Sequence, residues 1–168
     1  MNGQPTVKNV GERQWQLQKD YAVTFMLRDV LHRLVIKAGM VYDGASIPRW
    51  AWTILGKSPM GQHDSGTIFH DLIYMLLKNG KNNAVVGHSV DKCTHTLFIE
   101  LNGEWHPYMA EMSRKECDTI MFDIIRNTEG VKISKWVLTA MYRGVRIGGG
   151  KYWNKSTANH NINPGNCG

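Results

Sequence analysis

Four residues carry side chains that could act together in chemistry: His70, Asp71, Tyr74 and Asp118. Helical spacing places Asp118 toward the apolar side of a helix, where an unpaired carboxylate would be costly or would take up a proton. An imidazole is its natural partner, because an aspartate bound to a histidine raises the imidazole's basicity and fixes its tautomer. We therefore predict His70 as a general base, Asp118 as the group that orients it, and Tyr74 as a hydrogen-bond donor.

Two other uses of these residues are open. Asp71 and Asp43 could supply oxygen ligands to a divalent cation, either calcium or zinc. A buried network of histidine, aspartate and tyrosine could also serve only to tie helices together. A catalytic site requires His70 and Asp71 to border a pocket that reaches solvent, whereas a purely structural network would leave them sealed.

Other candidate sites have weaker support. His88, Asp91, Cys93 and His95 are close in sequence and could bind zinc, but their spacing matches no standard zinc site. No serine lies in the sequence context of a serine-hydrolase nucleophile. The chain also lacks a glycine-rich phosphate-binding loop.

The predicted site depends on two helices that pack against each other. The first is predicted over about residues 62–78, where apolar side chains cover a broad arc. Its opposite arc carries short polar and aromatic groups, as though it faces a cleft. The second helix opens with a capping box of Ser113 and Glu116 and ends near Gly130, which suits a C′ glycine. A third helix begins after Ser134 and gives way to glycines at 148–150.

The remaining elements are strands and turns. Alternation of polar and apolar residues predicts antiparallel strands at residues 14–18, 21–27 and 32–37. Asp43 and Gly44 favour a turn, and Pro48 favours the start of a short helix over residues 49–55.

A β-hairpin is predicted near the middle of the chain. Asn102 and Gly103 favour a type I′ turn between strands at residues 94–101 and 104–109. Together these elements predict an α+β fold: N-terminal antiparallel strands, two long antiparallel helices, a third C-terminal helix and an inserted β-hairpin. We expect one domain over residues 1–153, followed by a polar, flexible tail over residues 154–168.

Composition narrows the class of protein. Hydrophobic residues make up 42% and charged residues 20% of the 168 residues, which is typical of globular domains. We find neither an apolar run long enough to span a membrane nor the pattern of a secretion signal. Three cysteines with no short paired spacing argue against a disulfide scaffold.

The positive charge is concentrated in the C-terminal third. The net charge is +6, and residues 113–155 contain nine Lys or Arg against four Asp or Glu. This stretch could favour an anionic partner such as nucleic acid, a phospholipid or a cell-wall polymer, or it could be a solvated basic face.

Four motifs, at residues 41–49, 69–74, 113–118 and 141–149, occur in one order along the chain. Together they resemble phage and prophage proteins of domain of unknown function 1353, over about residues 14–153. The resemblance implies a tailed phage or prophage, and therefore the host cytoplasm or the virion as the location. Compared with the family pattern, residues 79–112 resemble an insertion that carries the hairpin, and Cys117 stands where members usually have alanine.

A looser similarity links the predicted site to secreted calcium-dependent phospholipases, whose core pairs a His-Asp-x-x-Tyr helix with an aspartate on an antiparallel helix. It implies that His70 is the base, Asp71 a metal ligand, and Tyr74 and Asp118 orienting groups. The leading hypothesis is a phage accessory protein with a hydrolase-like cleft, acting on lipid, peptidoglycan or nucleotide esters or amides. The alternative is a non-enzymatic virion component, or a protein that binds a phage or host factor.

Overall fold

The computed structural model describes residues 2–11, 14–42, 64–76, 83–87 and 96–150. Within these ranges the chain forms two antiparallel sheets and three helices, which confirms the predicted α+β class. The strands are β1 (Val7–Gly11), β2 (Gln14–Leu17), β3 (Tyr21–Leu27), β4 (Val30–Ile36), β5 (Val41–Tyr42), β6 (Asn83–Gly87), β7 (Thr96–Leu101) and β8 (Glu104–Ser113). The helices are α1 (Asp64–Met75), α2 (Arg114–Arg126) and α3 (Lys135–Gly148).

Several predictions concern residues outside these ranges. They are Asp43 with its turn, the short helix over residues 49–55, the candidate zinc ligands His88, Asp91, Cys93 and His95, and the tail over residues 154–168.

The smaller sheet has the strand order β1-β2-β5. Trp15 and Leu17 of β2 are buried, as the polar–apolar alternation predicted, and Tyr42 of β5 is buried as well. Strand β1 was not predicted, because it is an edge strand whose residues are mostly exposed and lack the alternating pattern.

The larger sheet has the order β3-β4-β7-β8-β6. The predicted hairpin is confirmed: β7 and β8 pair antiparallel across a turn in which Asn102 and Gly103 have φ values of 53° and 86°. The hairpin is an integral part of the sheet, because Leu97 of β7 pairs with Leu34 of β4. Strand β8 also extends beyond the predicted end and pairs with β6, which was not predicted.

Helices α1 and α2 cover one face of the larger sheet and form the main core with it. Phe25 of β3 and Phe69 of α1 contact each other with ring centroids 4.9 Å apart. Helix α3 packs on α2 through a second apolar cluster: Met121, Phe122, Ile125, Leu138, Met141 and Val145. None of the described helices is long and apolar enough to cross a membrane.

The N-terminus of α2 matches the prediction, but its C-terminus does not. Ser113 and Glu116 form the predicted capping box. The helix ends at Arg126 with Asn127 as its C-cap, so Gly130 is not the C′ residue, although its φ of 78° requires the left-handed region. The chain leaves the helix early because Thr128 forms a parallel bridge with Asn2 near the N-terminus.

Candidate active site

The polar side of α1 is buried instead of facing an open cleft. Ser65, Thr67, His70, Asp71 and Tyr74 are all buried, with His70 only 1% and Asp71 only 7% exposed. Each buried polar group must therefore find a partner inside the protein.

A glycine allows α1 and α2 to approach closely enough for such partners to meet. A Cβ atom on Gly66 would lie 2.5 Å from both the carbonyl oxygen of Met121 and Cγ1 of Ile125. One turn further along α1, His70 faces Asp118, which is nearer the start of α2. The sequence numbers thus run in opposite directions along the contact, so the two helices are antiparallel as predicted.

His70 and Asp118 form the predicted pair. The Nε2 atom of His70 lies 3.0 Å from Oδ1 of Asp118. Asp118 is fully buried, and burial alone would raise its pKa, but hydrogen bonds from His70 and Arg146 outweigh burial and lower that pKa. Because Asp118 is ionised, Nε2 of His70 carries the proton and donates it in this hydrogen bond.

Three further groups bind the Asp118 carboxylate. The hydroxyl of Tyr74 donates to Oδ1 at 2.9 Å, and Nη1 of Arg146 donates to Oδ2 at 2.7 Å. Arg114, one turn before Asp118 on α2, brings its Nε to 3.6 Å from Oδ2. Arg114 also donates through Nη2 to the carbonyl oxygens of Val145 and Arg146, and so binds the end of α3. The network therefore joins the three described helices.

The two arginines were not among the predicted site residues. The contact of Arg114 with Asp118 could have been predicted from the sequence, since positions i and i+4 share a helix face and Asp118 is four residues later. The contact of Arg146 with Asp118 could not have been predicted, because it depends on how α3 packs against α2. With His70 neutral, the charges of Asp71 and Asp118 are balanced by those of Arg114 and Arg146.

The second ring nitrogen of His70 is oriented toward Asp71. The distance from Nδ1 to Oδ1 of Asp71 is 3.6 Å, and Nδ1 has no hydrogen bond within the described part of the chain. Burial alone would lower the pKa of His70, but its interactions with Asp118 and with Asp71 outweigh burial and raise that pKa above its usual value. Asp71 therefore acts on His70 as a neighbouring negative charge.

Tyr74 fixes the position of the imidazole. Its ring lies against that of His70, with centroids 4.1 Å apart and an angle of 33° between the planes. Burial and the adjacent Asp118 charge raise the pKa of Tyr74, so its hydroxyl remains a donor at physiological pH. The structure thus brings together four of the five predicted site residues, while Asp43 lies outside the described ranges.

Cys117 adds a group that the sequence did not suggest as part of the site. His70, Cys117 and Asp118 each offer one ligand atom, and these atoms lie within 4.8 Å of one another, so the cluster could hold a metal ion. All three residues are buried. Burial, followed by the charge of Asp118, raises the pKa of the Cys117 thiol well above its usual value, so the thiol is protonated when no metal is bound. In the sequence, only the position of Cys117 beside Asp118 on the apolar side of α2 indicated that it could belong to the site.

The span that contains these residues matches one protein family. Residues 15–145 match the model of a family described as protein of unknown function (DUF1353). The chain belongs to this family. The matched span of DUF1353 includes His70, Asp71, Tyr74 and Asp118 but ends one residue before Arg146. No curated protein and no solved structure matches the chain.

Proposed function

We propose that this DUF1353 protein is a hydrolase in which His70 acts as a general base toward water. The observation that carries the proposal is the unequal environment of the two ring nitrogens. Nε2 is bound to Asp118 at 3.0 Å, while Nδ1 has no hydrogen bond in the described part of the chain. A carboxylate on one nitrogen fixes the tautomer that leaves the other nitrogen free to accept a proton.

The proton path follows from this arrangement. Nδ1 of His70 takes a proton from water while the water oxygen attacks the carbonyl carbon of an ester or amide. Asp118 stabilises the imidazolium that forms, and Tyr74 and Arg146 hold the Asp118 carboxylate in place. When the bond to the leaving group breaks, Nδ1 returns the proton to the departing oxygen or nitrogen. Lipid, peptidoglycan and nucleotide esters or amides are the candidate substrates.

A divalent cation is part of the proposal in one of two positions. Calcium prefers oxygen ligands and would be held by Asp71 with Asp43, where it would polarise the substrate carbonyl. Zinc prefers nitrogen and sulfur ligands, so it would favour the cluster of His70, Cys117 and Asp118. The second position would take ligands from both His70 and Asp118, the pair that forms the proposed base, so zinc there would inhibit it.

Metal titration separates these two positions. A ligand that binds only the folded protein raises the melting temperature by mass action. We expect Asp71→Asn to remove the response to calcium and Cys117→Ala to remove the response to zinc. If neither metal raises the melting temperature of the wild-type protein, the cation is removed from the proposal and the general base remains.

The catalytic test compares His70→Asn with His106→Asn. Each variant is assayed on phospholipid vesicles, peptidoglycan and simple chromogenic esters and amides. His106 is a suitable control because it lies on the hairpin with 49% of its side chain exposed. We expect His70→Asn to lose roughly 10²- to 10⁴-fold of the turnover and His106→Asn to lose none. A folded His70→Asn protein that retains wild-type turnover would exclude His70 as the base.

A second candidate function is favoured by the burial of the site. His70 is 1% exposed, Asp71 is 7% exposed and Asp118 is fully buried, so the residues are sealed as a network that only ties helices together would be, and general-base catalysis requires the site to open to water and substrate. The protein would then be a virion component or a protein that binds a phage or host factor. This alternative predicts that the wild-type protein turns over none of the phospholipid, peptidoglycan, ester and amide substrates. It also predicts that the only effect of His70→Asn is a loss of stability. The phage origin, and the virion or host cytoplasm as location, rest on the motif resemblance and belong to both proposals.

A further inference from the structure

The outward side of α3 carries large apolar side chains where a solvated helix normally carries charge. Trp136 is 64% exposed and Ile147 is 85% exposed. Trp136 and Ile147 are eleven positions apart, so at 100° per residue their side chains lie within about 20° of each other around the helix axis. Both lie opposite the stripe of Leu138, Met141 and Val145 that packs on α2. These two side chains therefore define the outermost line of the helix.

The spacing along this line excludes a continuous apolar patch. With a rise of 1.5 Å per residue, Trp136 and Ile147 stand about 16 Å apart. Ala140 and the exposed Arg143 lie between them on the same line. A protein that binds a helix in a groove requires successive apolar anchors at i, i+3 or i+4 and i+7, and Arg143 occupies the i+7 position. Two isolated anchors with a cation between them fit a different kind of partner.

The charge of this region is of one sign. Residues 131–150 contain four Lys or Arg and no Asp or Glu. Lys135 and Arg143 are exposed, and neither forms a salt bridge within the described ranges. Arg146 differs from these two, since it binds Asp118. The outward side of α3 thus offers two unpaired cations next to Trp136 and Ile147.

We propose that α3 binds the surface of a membrane that contains anionic phospholipid. Amphipathic helices that lie in the membrane interface combine Trp and aliphatic side chains with Lys and Arg. Helix α3 inserts Trp136 and Ile147 into the boundary between headgroups and acyl chains, while Lys135 and Arg143 contact lipid phosphates. The proposal does not depend on hydrolase activity, because the same surface would serve a membrane-bound protein without catalysis.

Sedimentation of the full chain with lipid vesicles tests the proposal. We expect the protein to sediment with phosphatidylglycerol vesicles and to remain in solution with phosphatidylcholine vesicles. The double variant Trp136→Ser/Ile147→Ser should bind phosphatidylglycerol at least about tenfold more weakly, because each change removes a side chain whose burial is favourable. Met26→Ser/Met109→Ser is the matched control, since these methionines are 53% and 62% exposed on the larger sheet. The control should bind as the wild type does.

A charge variant tests the cationic half of the surface independently. Lys135→Gln/Arg143→Gln should weaken binding, and added salt should weaken wild-type binding more than binding of this variant. Failure of wild-type protein to bind phosphatidylglycerol vesicles would overturn the proposal, as would equal loss in the Met26→Ser/Met109→Ser control. Binding to nucleic acid or to an acidic protein that persists in Trp136→Ser/Ile147→Ser, with no vesicle binding, would assign the charge to another partner and also overturn it.

Discussion

Replacing Asp118 with asparagine should strongly destabilise the protein. The carboxylate is fully buried and accepts hydrogen bonds from His70, Tyr74 and Arg146. Asparagine keeps the size of the side chain but loses the charge, and its NH₂ group must face at least one of these donors. Removal of one partner from a buried ionic network leaves the other charges uncompensated, at a cost of about 3–5 kcal/mol.

The solvent exposure of the partners of Asp118 narrows the expected loss of stability. The side chain of Arg146 is 32% exposed, so water will compensate for part of its lost ion pair. His70 is 1% exposed and has no such compensation. We therefore expect a loss of about 3 kcal/mol, at the lower end of the range. For a chain of this size, this corresponds to a fall in melting temperature of roughly 6–12 °C.

Urea unfolding of wild type, Asp118→Asn and Asp123→Asn measures the effect. Asp123 lies on the same helix with 48% of its side chain exposed, and its only ion pair in the described ranges is a 4.0 Å contact with Arg126. Its replacement should change the free energy of unfolding by no more than about 0.5 kcal/mol. A loss below about 1 kcal/mol in Asp118→Asn would mean that the buried carboxylate is not compensated as argued, and that the network does not hold the helices together.

Three further predictions use the same unfolding measurement. The difference in unfolding free energy between wild type and Asp118→Asn should be largest between pH 3.8 and 6.5, the ordinary pKa values of aspartate and histidine. Because the pKa of Asp118 is lowered in the folded protein, its contribution to stability is lost as pH falls through that lowered pKa. Because the pKa of His70 is raised, its contribution is lost as pH rises through that raised pKa. A difference that stays constant from pH 3 to 9 would contradict this. Gly66→Ala should cost about 1–3 kcal/mol, since its methyl group meets backbone and side-chain atoms of α2 at 2.5 Å; unchanged stability would show that the helices can separate freely. Gly103→Ala should cost about 1 kcal/mol because φ is 86° there while no atom lies within 4 Å of the new methyl group, and a stabilising effect would exclude the type I′ turn.

The sequence predicted the contacts that depend on local chemistry. Asn102 and Gly103 specify their turn without help from the rest of the fold, because few other residues adopt positive φ at both positions. The pairing of His70 with Asp118 could also be predicted, since few side chains can compensate a carboxylate on the apolar side of a helix. In both cases one physical requirement excluded almost every alternative.

Features that depend on packing between distant segments were not predictable. Strand β6 is a short segment whose pairing with the end of β8 is set by the sheet and not by its own pattern. Arg146 reaches Asp118 from 28 positions away, because Arg114 binds the last carbonyl groups of α3 and fixes where that helix ends. The early end of α2 likewise depends on Asn2, which lies at the opposite end of the chain.

The end of α3 connects the two proposals physically. Arg146 binds the Asp118 carboxylate, and the next residue, Ile147, is the most exposed large apolar side chain in the described part of the chain. A membrane contact through Ile147 would therefore restrain the backbone that positions Arg146. Since Asp118 is the group that orients His70, the geometry of the base would be most strongly held when α3 is bound. Vesicles should accordingly protect the backbone amide of Arg146 from hydrogen exchange in the wild type, and Ile147→Ser should abolish that protection; equal exchange with and without bound vesicles would show that α3 binding and the Asp118 network are independent.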